Sequence, residues 1–106
     1  MKFSEMFPSP WLKAEDIGDG TKLTINSVTK EVVGQDKELK NVVHWLEPSK
    51  PMILNRTNGT SIMEMYGDDS AEWIGKSIEL YQTGVEVGGK AYQAVRVKQP
   101  QQELQF

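Results

Sequence analysis

Apolar and polar residues alternate with a period of two in several short segments of this chain. The alternation is clear in 22–28 and again in 77–81, and it is typical of strands that bury one face. Its apolar phase slips between Ile25 and Val28, which predicts a bulge in the first strand. The predicted strands are 21–33, 39–47 and 51–55, followed by a β-hairpin at 76–98.

A helical spacing replaces the alternation between the third strand and the hairpin. Ile62, Met65 and Tyr66 are three and four positions apart, so they form one apolar face of a helix predicted at 57–66. The predicted order is therefore β-β-β-α-β-β, with one short helix between strands 3 and 4. This mainly β order is typical of a small five-stranded OB-like barrel.

Glycines mark the turn of the hairpin. Gly88-Gly89 lies between Val87 and Lys90, and two-residue hairpin turns require positive φ angles. We expect two flexible loops in this fold, one at about 34–38 and one at about 82–90.

The chain has 106 residues, which is the length of one domain. We expect an OB-like domain at 1–98 with an N-terminal arm at 1–20. The segment 99–106 has no periodicity and is expected to be a flexible tail. No apolar run has the length of a membrane helix and no secretion signal is evident, so we expect a cytoplasmic protein that does not bind membranes.

The sequence offers little for catalysis or metal binding. It has no cysteine and a single histidine, His44, which excludes a thiolate zinc site and favours a structural role for that histidine. Asp68, Asp69 and Glu72 form an acidic cluster that fits capping of a helix better than binding of Mg²⁺. We therefore expect no enzymatic activity, no catalytic residues, no cofactor and no metal.

Aromatic residues are the best candidates for a binding surface. If Val42, His44 and Leu46 share the inner face of the second strand, Trp45 points outward. Tyr81 and Tyr92 lie on the outward phase of the hairpin. Val42-Val43 also fits the opposite register, in which Trp45 belongs to the core. Three outward rings on a curved sheet would form a platform on which nucleobases stack.

Three cations accompany these rings in the predicted strands. They are Lys40, Lys90 and Arg96, and each is placed to contact a phosphate. The net charge of the chain is −3, which argues against a binder of duplex DNA. A single-strand binder needs only a few cations in one groove, because stacking supplies much of its affinity.

Several segments resemble a family of small, mostly uncharacterised proteins of bacteriophages and prophages. The segments are Leu54-Asn55-Arg56-Thr57-Asn58, Tyr66-Gly67-Asp68-Asp69, Trp73-Ile74-Gly75-Lys76 and Gly88-Gly89-Lys90. Phe7-Pro8-Ser9 near the start is also similar. The resemblance implies a phage context, in which small OB-type proteins commonly serve replication or recombination. It carries no catalytic or binding residues over to this chain.

Two functions remain open at this point. The first is a non-enzymatic, sequence-tolerant single-stranded DNA-binding protein that uses the three rings and three cations named above. The residues do not distinguish DNA from RNA. The alternative is a phage protein-interaction module that acts on a host, replication or assembly partner. The C-terminal tail, which ends at Phe106, is a candidate contact for a protein partner, and an unpaired edge strand leaves a homodimer open.

Overall fold

A computed structural model of the chain describes residues 10–34 and 36–100. These residues form five strands, one α-helix and two short 3-10 helices. The strands are β1 (Thr21–Val33), β2 (Glu38–Trp45), β3 (Met52–Ile53), β4 (Ser77–Val87) and β5 (Lys90–Lys98); the helix α1 is Arg56–Tyr66, and the 3-10 helices are Ala14–Asp16 and Ser70–Trp73.

The five strands form one antiparallel sheet in the order β3-β2-β1-β4-β5. The protein is therefore mainly β, with its helix between the third and fourth strands as the sequence predicts. The helix begins one residue before its predicted start. The third strand is shorter than predicted, since only Met52 and Ile53 pair with β2.

The first strand holds the sheet together because it pairs with a different neighbour in each half. Thr21–Thr24 pair with β4, and Ser27–Val33 pair with β2. The register with β2 shifts between Ile25 and Ser27, which confirms the predicted bulge. A bulge bends a strand and increases its twist. One half of β1 therefore forms a hairpin with β2, and the other half pairs with β4, the first strand of the β4–β5 hairpin.

The boundaries of α1 follow from its flanking residues. The side chain of Asn55 accepts a hydrogen bond of 2.8 Å from the backbone N–H of Asn58, which caps the first turn. Gly67 ends the helix with a φ of 105°, and its N–H donates to the carbonyl of Met63 at 2.8 Å. A positive φ favours glycine at this position, because other residues incur a steric cost there.

The core lies between the sheet and α1. It is formed by the inward residues of the strands together with two residues from the N-terminal segment and one from each of α1 and the second 3-10 helix. The buried residues are Leu12, Ile17, Leu23, Ile25, Val43, Trp45, Met52, Ile62, Trp73, Ile78, Leu80 and Val97. These side chains supply the hydrophobic stabilisation of the fold.

The helix connects the two edges of the sheet. It follows directly after β3, where the N–H of Leu54 donates to the carbonyl of Asn41 at 2.8 Å. At the other edge, Nδ2 of Asn58 donates to the carbonyl of Val95 at 3.0 Å. The described residues contain no ladder between β3 and β5, so the sheet itself is open and α1 spans the gap.

Some expectations lie partly outside the described residues. The N-terminal arm is described only from Pro10, and the tail only as far as Pro100. Phe7-Pro8-Ser9 and Phe106 lie outside that range. In the described part of the chain, no helix has the length and apolar character needed to cross a bilayer.

Candidate nucleic-acid interface

The β4–β5 hairpin carries most of the predicted site. Its strands pair without interruption from Glu79–Lys98 to Val87–Lys90. Gly88 and Gly89 form the turn with φ angles of 60° and 81°. Two positive φ angles define a type I′ turn, whose twist matches that of the flanking strands, so the predicted two-residue turn is confirmed.

The register divides the hairpin into two faces, because residues directly opposite each other in a ladder share a face. Ile78 and Leu80 on β4 and Val97 on β5 are buried in the core and define the inner face. The residues of the opposite face are Glu79, Tyr81, Thr83, Val85, Val87, Lys90, Tyr92, Ala94, Arg96 and Lys98. We call this set the outer hairpin face.

Tyr81 lies near the middle of this face, beside two cations. It pairs directly with Arg96 across the ladder. The ammonium nitrogen of Lys98 lies 5.1 Å from the centroid of the Tyr81 ring, within the range of a cation–π contact. Lys98 also contacts the carboxylate of Glu79 at 3.1 Å. Tyr81 is half-buried, so one part of its ring remains accessible.

Tyr92 is more exposed and lies closer to the turn. Its side chain is 50% exposed and stands opposite Val85. Lys90 is exposed at the end of the ladder, opposite Val87. Both side chains point outward as the sequence predicts. The two rings therefore lie one after the other along the outer hairpin face. Lys90 lies at the turn end of this face, and Arg96 and Lys98 lie at the other end.

Arg96 is half-buried and partly engaged with its own backbone. Its Nη1 donates to the carbonyl of Val95 at 3.0 Å, the same oxygen that accepts from Asn58. The remaining guanidinium donors have no partner among residues 10–34 and 36–100. They are available to a phosphate without loss of an ion pair, since Arg96 has none in this part of the chain.

Trp45 does not belong to this surface. It is 7% exposed and packs in the core, and its indole N–H donates to the carbonyl of Lys50 at 2.9 Å. The expectation that Trp45 points outward is therefore wrong. Leu46, expected on the inner face, is exposed. The cause is the register: Trp45 pairs with Ile25, and Ile25 faces the core.

Lys40 is exposed, but it lies far from the hairpin. It pairs with Glu31 near the end of β1, whereas β4 passes the start of β1 at Thr21 and continues in the other direction. Its ammonium group contacts Glu38 at 3.3 Å. The structure thus brings together four of the six predicted site residues, which are Tyr81, Lys90, Tyr92 and Arg96.

Two features of the hairpin differ from expectation. The segment 82–90 is not a loop, because β4 runs through Gly84 to Val87 and only Gly88 and Gly89 leave the ladder. Lys98 was not predicted as a site residue. The sequence contains the information needed to predict it, because Lys98 is an even number of positions from Lys90, Tyr92 and Arg96. Residues at such spacing on one strand share a face, and the register places Lys98 on the outer hairpin face.

The remaining polar candidates have structural roles. The carboxylate of Asp69 accepts a hydrogen bond from the N–H of Ala71 at 3.0 Å and caps the second 3-10 helix. Oε2 of Glu31 accepts from the hydroxyl of Thr29 and lies 2.6 Å from Nε2 of His44. These contacts hold the pKa of Glu31 below its usual value, the Thr29 hydrogen bond having the largest effect. Within the described ranges, no three acidic or histidine side chains are placed to hold a metal ion.

A surface groove of about 400 Å³ lies beside α1. It is lined in part by Leu54, Arg56, Met63 and Trp73. None of the six predicted residues lines this groove. The candidate interface is therefore a strand surface and not a pocket.

Comparison with known proteins gives no relative for this chain. No protein-family model, no curated protein and no solved structure matches it. The geometry of the described residues is thus the basis for any functional proposal.

Proposed function

We propose that this protein binds single-stranded DNA along the outer hairpin face, without base specificity and without catalysis. The main observation behind this proposal is the β4–β5 register, in which Tyr81 and Tyr92 share one face with Lys90, Arg96 and Lys98. Bases stack on the rings, each stack contributing about 1–3 kcal/mol. The cations contact the phosphates.

The distribution of charge supports the same function. The chain as a whole carries a net charge of −3. The outer hairpin face instead carries three cations, Lys90, Arg96 and Lys98, and one acid, Glu79. A locally positive surface on an acidic protein concentrates a polyanion at that surface, and it releases counterions when the strand binds.

The architecture fits this proposal. Five antiparallel strands with a helix between the third and fourth are the elements of an OB-type fold, and α1 spans the gap that a β3–β5 ladder would fill. We propose that the protein is an OB-like domain of phage origin that acts in the host cytoplasm during replication or recombination. Fold analogy alone is a weak argument for function, so the proposal depends on the hairpin surface.

The direct test is binding of a labelled dT₃₀ oligonucleotide, followed by fluorescence anisotropy at low salt. We expect micromolar or tighter binding that weakens as salt is added, because counterions are released on binding. The Lys90→Ala/Arg96→Ala variant should bind at least tenfold more weakly and show a shallower salt dependence. Lys40→Ala is the matched control and should bind like the wild type.

Two results would overturn the proposal. One is the absence of any anisotropy change with folded wild-type protein at tens of micromolar. The other is equal loss of affinity in the Lys40 control and the hairpin variant, which would mean that the hairpin is not the binding surface. Intrinsic tryptophan fluorescence is a poor reporter here, because Trp45 and Trp73 are buried and the half-buried Trp11 does not belong to the hairpin.

A specific observation favours the alternative function of a protein-interaction module. Val32 and Leu39 pair directly across the β1–β2 ladder, and each is 63% exposed. An exposed apolar pair of this kind offers a partner protein apolar surface to bury. If the wild type does not bind dT₃₀, a phage or host protein that docks on this pair becomes the better proposal.

A further inference from the structure

The fifth strand presents an unpaired backbone edge. It is the last strand of the sheet, and the two-residue turn makes Val87–Lys90 a hydrogen-bonded pair. Because such pairs alternate with non-hydrogen-bonded ones, Ala91, Gln93 and Val95 direct their N–H and C=O groups away from β4. The contact from Asn58 to the carbonyl of Val95 confirms this direction.

Within the described residues, another element donates a hydrogen bond only to the C-terminal half of this edge, while the side chain of Gln93 lines a groove with the first 3-10 helix. α1 lies against Val95 through Asn58, whereas Ala91 and Gln93 are exposed. No described residue outside β5 makes a backbone hydrogen bond to the outward groups of these two residues. The segment Lys90–Ala94 contains no proline and no bulge, which are two of the features that prevent an edge from pairing with another strand. Its one charged residue is Lys90, at the end of the strand.

We propose that this edge pairs with the same edge of a second copy of the chain, antiparallel, around a two-fold axis that passes beside Tyr92. In this register Ala91 faces Gln93 of the second copy, and Gln93 faces Ala91. Both residues direct their backbone groups outward, so the two pairs exchange four backbone hydrogen bonds. The result is a continuous four-stranded sheet built from the two hairpins.

The neighbouring registers fit less well. An axis beside Gln93 places Ala91 of the second copy against Val95, whose carbonyl already accepts from Asn58. An axis beside Ala91 places Gln93 opposite Gly89, which belongs to the turn. With the axis beside Tyr92, the pairing uses only Ala91 and Gln93, the two residues whose outward backbone groups are free of other described elements. The paired segment is therefore as long as the free part of the edge.

Charge and polarity also favour a second copy in this register. Lys90 stands opposite Ala94 and not opposite another lysine, so the pairing brings no like charges directly together. The two Tyr92 rings become cross-strand neighbours at a non-hydrogen-bonded pair. Aromatic pairs at such positions stabilise a sheet, and the contact covers the most exposed ring of the hairpin on one side.

The dimer itself does not depend on the proposed function, although it extends the proposed site. The outer hairpin faces of both copies lie on one side of the four-stranded sheet, because residues opposite each other share a face. One copy thus adds its Tyr92, Lys90 and Arg96 to the surface of the other. A DNA strand bound to this surface would contact both copies.

The test combines mass measurement with a proline substitution. Analytical ultracentrifugation of the wild type from 1 to 500 μM should show the mass double as concentration rises. Gln93→Pro should remain monomeric throughout, because proline removes the outward N–H that the pairing uses and leaves the β4 ladder intact. Gln93→Ala is the matched control and should dimerise like the wild type.

A cross-linking experiment keeps the proposal testable if Gln93→Pro does not fold. The chain has no cysteine, so one introduced cysteine reports the distance between the same position in the two copies of the dimer. In the proposed register the Cβ atoms of the two residues 92 are about 4.5–5.5 Å apart, and Tyr92→Cys should form a disulfide-linked dimer on mild oxidation. Lys90→Cys should not, since its copies are about 13 Å apart along the strand direction.

The outcomes separate this inference from the proposed function. A wild type that stays monomeric at 500 μM overturns the dimer, as does equal cross-linking of Tyr92→Cys and Lys90→Cys. Binding of dT₃₀ by monomeric Gln93→Pro would leave the function in place. A dimer that does not bind dT₃₀ would remove only the function.

Discussion

The side-chain amide of Asn58 on α1 donates a 3.0 Å hydrogen bond to the carbonyl of Val95 on β5. Asn58 is 2% exposed, and its Oδ1 has no hydrogen-bond partner in the described part of the chain. A buried amide is costly unless it is hydrogen-bonded. The contact ties the helix that follows β3 to β5, the strand at the opposite edge of the sheet, so it connects the two ends of an open sheet.

The first prediction concerns this contact. Asn58→Ala removes the helix donor to the carbonyl of Val95, which among the described residues then keeps only the hydrogen bond from Nη1 of Arg96, and should lower the free energy of unfolding by about 0.5–1.5 kcal/mol. Urea denaturation of the variant and the wild type measures the difference. Thr57→Ala, one residue earlier and exposed, is the control and should change stability little. Equal stability of Asn58→Ala and the wild type would mean that α1 is held by its apolar contacts alone.

The second prediction separates the two kinds of aromatic residue. Trp45→Ala removes a buried ring from the core and should cost about 3–5 kcal/mol of stability. Tyr92→Ala should change stability much less, since half of its surface is already exposed. If the proposed function holds, Tyr92→Ala weakens dT₃₀ binding, and Trp45→Phe binds DNA like the wild type. The reverse pattern would place the binding surface around Trp45.

The third prediction concerns acid stability. The pKa of Glu31 is lowered in the folded protein, first by the hydrogen bond from Thr29 and then by His44. Because the pKa of Glu31 is lower in the folded protein, its ionised carboxylate stabilises the fold at pH values above the unfolded pKa of 4.5. It is lost as the pH falls through the folded pKa.

Denaturation at a series of pH values from 7 to 2 measures this effect. Glu31→Gln should lose less stability than the wild type between pH 5 and 2, because the glutamine side chain does not titrate. Glu64→Gln, at an exposed helix position, is the control and should follow the wild-type curve. Parallel curves for Glu31→Gln and the wild type would contradict the assignment.

The fourth prediction concerns the hairpin turn. Gly88 has a φ of 60° and its added Cβ would meet no atom within 4 Å, so only backbone strain limits substitution. Asparagine tolerates this conformation, and Gly88→Asn should keep or slightly raise stability because it restricts the unfolded chain. Gly88→Val should lower stability, since a β-branched residue disfavours positive φ. Thermal unfolding of both variants measures this, and a more stable valine variant would argue against a type I′ turn.

Local patterns were sufficient to predict most of the elements. The bulge in β1, the helix that ends at Gly67 and the Gly88-Gly89 turn are each specified by residues close together in the sequence. The face on which Tyr81, Tyr92 and Arg96 lie is also specified by nearby residues, because a two-residue turn fixes the register of the whole hairpin. For this reason the four predicted site residues on the hairpin are the ones that the structure brings together.

The position of Trp45 was decided only by tertiary structure. Val42 and Val43 are both fully buried, so the alternation in β2 does not indicate which face is the core. The pairing of Trp45 with Ile25 decides it, and that pairing depends on a bulge twenty residues earlier in the chain. Lys40 is separated from the hairpin for a similar reason, because β1 changes its pairing partner along its length.

By itself, then, the sequence determined the order of the strands and helix, the turn of the hairpin and the faces of β4 and β5. These features follow from torsional preferences and from the period of two within one strand, which act between near neighbours. Tertiary structure decided which face of β2 meets the core, how far apart the two hairpins extend and which edge of β5 stays free. Those features depend on contacts between residues distant in the chain, and no local pattern of apolar residues encodes them.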